Sequence, residues 1–134
     1  MGRKTKRVRV LVVDDSAVVR QQICKLLLTQ GDIEICEECG NGAEAVEKTR
    51  YHRPDLVLMD VSMPTMNGIE AAKLIHAEDP AIQIVVLSQH DSSGFLKEAF
   101  GAGVSGYILK SNAVADLIPE IRRQQKQRTA AEND

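Results

Sequence analysis

The chain has 134 residues, 43% hydrophobic and 27% charged, with a formal net charge of −2, which is the size and balance of one globular domain. Its only aromatic side chains are Tyr51, Phe95, Phe100 and Tyr107. The core must therefore be aliphatic, and a stacking platform for single-stranded nucleic acid is disfavoured.

Arg3, Lys4, Lys6, Arg7 and Arg9 make the N-terminus basic, which leaves 12 bases against 19 acids in residues 10–134. Residues 1–6 read as a solvated tail, and so acidic a body argues against direct nucleic-acid binding by the domain. The first apolar run is short and ends in two aspartates, unlike a signal peptide. No run approaches the roughly 20 residues that span a bilayer, so a cytoplasmic protein without a membrane partner is expected.

Residues 8–13, VRVLVV, predict a buried strand that stops at Asp14 and Asp15. Ser16 is a candidate N-cap for a helix to Gln30, with Val19, Ile23, Leu26 and Leu27 at helical spacing and Gly31 as its stop. Residues 33–39 predict a second strand, and Glu34, Glu37 and Glu38 mark it as an edge. Cys36 and Cys39 are spaced C-x-x-C. Strand alternation predicts that they face opposite sides, so with Cys24 they read as ordinary small apolar residues rather than a redox or metal pair.

Gly40–Gly42 predicts a turn before a helix at 43–51, and Pro54 resets the chain. Residues 56–59 predict a third strand ending at Asp60. A loop with Pro64 leads to a helix at 69–78, stopped by Pro80. Residues 82–87 predict a fourth strand ending at Ser88. A short helix opens at Ser92 or Ser93 and closes at Gly101 and Gly103. Residues 106–109 predict a fifth strand ending at Lys110. A last helix spans 113–127; Pro119 should kink it or move its start downstream, and residues 129–134 read as a frayed tail. Five buried strands alternating with five helices indicate an α/β fold with a parallel sheet.

In such sheets the functional crevice lies at the carboxyl ends of the strands. Those ends carry Asp14, Asp15, Asp60, Ser88 and Lys110. Three carboxylates repel unless a cation or proton joins them, and an open all-oxygen set favours Mg²⁺ over a closed zinc site. The chemistry that fits is phosphoryl transfer to a carboxylate, giving an acyl phosphate.

With these residues in place, the sequence resembles the receiver domain of bacterial two-component response regulators over residues 7–128. LVVDDS (11–16), LVLMDVSMPTMNGIEA (56–71), IVVLS (84–88) and GAGVSGYILK (101–110) carry the resemblance, and GYILK is most like receivers of LuxR-type regulators. The resemblance implies a flavodoxin-like, doubly wound five-stranded sheet in the order 2-1-3-4-5. Asp60 would accept a phosphoryl group from a sensor histidine kinase. Asp15, Asp60 and the Ser62 backbone carbonyl would hold Mg²⁺, with Asp14 acting through its bound water. Lys110 and Ser88 would bond the phosphoryl group, and Tyr107 would follow Ser88 inward as a switch. Such a protein is a phosphoacceptor switch rather than a conventional enzyme, and it is expected to form phosphorylation-promoted homodimers. The receiver occupies almost the whole chain, so an output such as transcription control is expected outside it.

Three departures stand out. Gln89 follows the hydroxyl residue where something small is usual, and its long amide would crowd the phosphoryl site; His90, next along, would modulate hydrolysis. Ser111 replaces the proline that often follows the lysine, which puts the usual cis peptide in doubt. Three other readings fit less well. A haloacid-dehalogenase-type phosphatase needs a second aspartate two residues after the nucleophile, where Ser62 stands. An FMN-binding flavodoxin needs a hydroxyl-rich loop after the first strand. A never-phosphorylated scaffold has no need of the intact residue set.

Overall fold

The computed structural model describes residues 7–61, 68–89 and 93–132. The elements run β1 (Val8–Val13), α1 (Ala17–Leu27), β2 (Ile33–Cys39), α2 (Gly42–His52), β3 (Leu56–Asp60), α3 (Gly68–Glu78), β4 (Gln83–Ser88), α4 (Ser93–Gly101), β5 (Gly106–Leu109), a 3₁₀ turn (Lys110–Asn112) and α5 (Ala113–Glu132). All strand pairs are parallel, in the order β2-β1-β3-β4-β5. This is the predicted α/β architecture, with β2 on an edge.

Strand alternation divides the core in two. Leu11, Val13, Val57, Met59, Ile84 and Val86 face α2, α3 and α4, meeting Ala45, Ala72, Ile75 and Ala99. Val10, Val12, Leu56, Leu58, Val85 and Leu87 face α1 and α5, meeting Ile23, Leu27, Leu117 and Ile121. The central strands are apolar on both sides because both sides are covered. None of the helices described is long and apolar enough to cross a membrane.

Several local expectations need correction. The helix from Ala17 ends at Leu27, short of Gln30. There the chain tightens into i→i−3 turns, with Thr29 and Gln30 donating to the carbonyls of Leu26 and Leu27. Cys36 and Cys39 do not face opposite sides. A β-bulge lets the register skip Cys36, since Val10 pairs with Ile35 and Leu11 with Glu37. The extra residue shifts the alternation, so both cysteines pack on the α2–α3–α4 side.

The last helix starts at Ala113, not downstream of Pro119, and continues through that residue. The missing N–H costs Ala115 its helical partner, but both residues lie on the exposed face, where water can serve the carbonyl. The helix also runs past Gln127 to Glu132. Arg122, paired with Asp32 at 2.7 Å, and Arg128, 3.6 Å from Asp55, hold its outer half to the body.

Candidate functional site

The ends of β1, β3, β4 and β5 meet on one rim. The Asp14 N–H donates to the Cys39 carbonyl at 3.0 Å, which fixes the backbone as it leaves the sheet. Ser16 then does two jobs. Its N–H donates to Asp14 Oδ1 at 2.9 Å, and its hydroxyl caps α1 by accepting from Val19 N–H at 3.2 Å. Arg20, one turn into α1, donates to the Asp14 carbonyl at 2.7 Å and pairs with Glu38. Asp14 is fully buried and Asp60 is 1% exposed, whereas Asp15 faces solvent.

Lys110 enters from the 3₁₀ turn after β5. Its Nζ donates to Asp60 Oδ2 at 3.0 Å and lies 3.6 Å from Asp14 Oδ2. Lys110 also lines a mostly apolar groove with Leu87 and Leu117. Ser88 is 2% exposed at the end of β4. By strand alternation Ser88 shares its face with Val86, the register partner of Tyr107. Tyr107 is half-buried and, like Phe95 of α4, packs on that cluster.

One oxygen from each of Asp14, Asp15 and Asp60 falls within 4.8 Å of the others. At that separation and an effective dielectric near 20, each like-charge pair costs about 3.5 kcal/mol. Three carboxylates and one ammonium leave two negative charges uncompensated. Asp14 Oδ2 is buried and has no hydrogen-bond partner. A hard divalent cation such as Mg²⁺ fits this donor set, its charge deficit and its orphaned oxygen.

The electrostatics reflect the crowding. Burial pushes the Asp14 carboxyl above its ordinary 3.8; the Ser16 N–H and Lys110 oppose the shift, and Asp60 and Asp15 add to it. Burial pulls Lys110 down, but the hydrogen bond and charge of Asp60, with Asp14 behind them, leave its ammonium held above the ordinary 10.5.

Thus the structure brings Asp14, Asp15, Asp60 and Lys110 together and places Ser88 at the end of the adjacent strand. Gln89 is exposed. Ser62 and His90 lie outside the described residues. The peptide before Ser111 is trans.

Two residues at the rim were not singled out from sequence. Arg20 fixes the Asp14 backbone, and only its position one turn after the cap hinted at that. Gly68 opens α3 against the backbone leaving β3. A Cβ there would lie 2.8 Å from Val61 Cγ1, 2.9 Å from Val61 Cα and 3.0 Å from the Asp60 carbonyl oxygen. The glycine is required for close approach, and its signal was its place in the LVLMDVSMPTMNGIEA stretch at 56–71.

Comparison with known proteins agrees with this fold. Residues 10–122 match the family model described as the response regulator receiver domain. The transcriptional regulatory protein PdtaR of Mycobacterium tuberculosis is 42% identical over 113 residues, covering 84% of this chain and 54% of that protein. The chain spans about half the length of the curated relatives it matches. Among solved structures, the response regulator domain of Thermotoga maritima CheB superposes with a TM-score of 0.84 at 32% identity, covering 90% of this chain and 98% of that one. A LuxR-family two-component response regulator from Aurantimonas also gives 0.84, at 34% identity, covering 88% and 84%.

Proposed function

The chain belongs to the response regulator receiver domain family, a family of phosphorylation-dependent switches, and from that premise we propose that Asp60 is its phosphoacceptor. A sensor histidine kinase is the proposed donor. The Asp60 carboxylate attacks phosphorus, the bond from phosphorus to the donor imidazole nitrogen breaks, and the imidazole keeps the electron pair and takes a proton. The product is an acyl phosphate at Asp60.

The observation that carries this reading is the Lys110–Asp60 hydrogen bond of 3.0 Å inside a rim of three carboxylates. The ammonium stands beside the nucleophile, where it can meet an incoming phosphoryl oxygen. Asp14, Asp15 and Asp60, with the Ser62 carbonyl, would hold Mg²⁺. When bound, the ion neutralises phosphoryl oxygens as charge gathers on them. The Ser88 hydroxyl would bond a third oxygen.

Phosphorylation adds charge and acceptor oxygens at a buried position. Ser88 would move toward them, and Tyr107, on the same face, would follow into the space released. That couples the rim to the surface built by α4, β5 and α5. The proposed consequences are a phosphorylation-promoted homodimer and control of an output, transcription regulation being favoured by the likeness to LuxR-type receivers. A cytoplasmic location fits this role. Gln89 and His90 would tune access to the acyl phosphate.

The test is intact-mass measurement after incubation with Mg²⁺ and either acetyl phosphate or a kinase's phosphohistidine. One added phosphate is expected on the wild type and none on Asp60→Asn. Absence of the adduct with both donors overturns the proposal.

A further inference from the structure

A cleft of about 310 Å³ lies between the last turns of α2 and α3. It sits where the chain enters β3 and β4, at the opposite end of the strands from Asp60 and Ser88. Ile75 and Ile82 make it partly apolar, and Thr49 joins them, only 4% exposed. The Thr49 hydroxyl is buried and has no hydrogen-bond partner. A donor and its lone pairs thus stand unused in a residue of the cleft lining, just beneath its surface.

The charged groups of the lining are unevenly matched. Arg50 bridges α2 to α3, its Nε donating to both carboxylate oxygens of Glu78 at 2.8 and 3.0 Å, so that pair is internally satisfied. Arg53 makes no ion pair among the described residues. It also holds φ at 47°, a backbone position that favours glycine, as the cap of α2. Asp79 spends its Oδ1 on the Ala81 N–H at 3.1 Å. The α2 end is capped by Arg9, whose Nη1 donates to the His52 and Arg53 carbonyls at 2.7 and 3.1 Å, so the partial negative charge that disfavours a simple anion is that of the α3 end.

The lining therefore offers one unpaired guanidinium, one partly engaged carboxylate, a buried unused hydroxyl and an apolar floor, with no net side-chain charge. We propose that this cleft binds a small zwitterion, a free α-amino acid in the simplest case. Its carboxylate would meet Arg53 and the Thr49 hydroxyl. Its ammonium would meet Asp79, and its side chain would lie on Ile75 and Ile82.

The test is an amide-shift titration of ¹⁵N-labelled protein with the common L-amino acids, with sodium acetate and ethylammonium chloride as half-ligands. At least one amino acid should give saturable shifts confined to residues 49–53 and 75–82, and each half-ligand should bind about tenfold more weakly or worse. Arg53→Gly suits the positive φ and Thr49→Val keeps the shape. Each should weaken binding about tenfold, a loss of about 1.4 kcal/mol, while Asp60 is phosphorylated at the wild-type rate. Lack of saturable shifts with any amino acid overturns the proposal. So does acetate binding as tightly as the best amino acid, or variants that bind like the wild type.

Discussion

The Lys110 ammonium donates to Asp60 at 3.0 Å and reaches only to 3.6 Å from the buried Oδ2 of Asp14. The first is a hydrogen bond and the second an ion pair without one. One cation thus serves two buried carboxylates unequally. The oxygen left over is the one a metal would complete.

Replacing Lys110 should separate its two roles. Lys110→Met keeps an unbranched stem of similar length and removes the charge. Phosphorylation of Asp60 by acetyl phosphate should slow by at least about tenfold, the loss of one charge-assisted hydrogen bond. Mg²⁺, measured by calorimetric titration, should bind more tightly, because the competing ammonium is gone.

Asp14 sets a pH dependence. Its folded pKa is raised above the ordinary 3.8 by burial, so the carboxyl favours folding when protonated. Without metal, that contribution is complete below about pH 4 and is lost as pH rises through the raised folded value. Thermal melts of the metal-free protein should show Asp14→Asn less dependent on pH in that window. At pH 7 it should be more stable than the wild type, because a buried charge crowded by Asp60 and Asp15 is removed. It should also lose most of the stabilisation that Mg²⁺ gives the wild type.

Gly68→Ala places a methyl 2.8 Å from Val61 Cγ1 and 3.0 Å from the Asp60 carbonyl oxygen. Backbone must move, at about 1–3 kcal/mol. Denaturant unfolding should report that loss. The phosphorylation rate should fall as well, because the displaced backbone carries the nucleophile.

The cysteines should be inert in the folded state. Burial pushes the Cys24 thiol up to about 11 and Cys39 to about 12, and raises Cys36 too. A thiol-disulfide reagent at pH 7.5 should label none of them quickly, and all three once the chain is unfolded. Rapid native labelling of Cys36 and Cys39 as a pair would revive a redox reading.

Much of this was legible because each strand end announces itself. An aliphatic run that stops at a charged or hydroxyl residue gives both the strand and its rim group, as Leu56–Asp60 does. Periodicity could not foresee the bulge at Cys36, because one extra residue is invisible until β2 is laid against β1. The end of α1 was misplaced for a related reason. Leu28 to Gln30 are compatible with a helix, and the geometry of the turn into β2 decides against it. The role of Gly68 depends on how closely α3 approaches the backbone after Asp60, a distance no spacing encodes. Helix α5 runs past Gln127, and there Arg128 lies 3.6 Å from Asp55 across the fold, a long-range pairing that helical spacing does not show.

The central claim is that Asp60, and no other carboxylate of the rim, carries the phosphoryl group. After incubation with Mg²⁺ and a phosphodonor, borohydride reduction converts an aspartyl phosphate to homoserine, which peptide mass mapping can place. Homoserine is expected at position 60 alone, formed only when Mg²⁺ and donor are both present. Homoserine at position 14 or 15, or an unmodified position 60 in protein that carries the added phosphate, would contradict it.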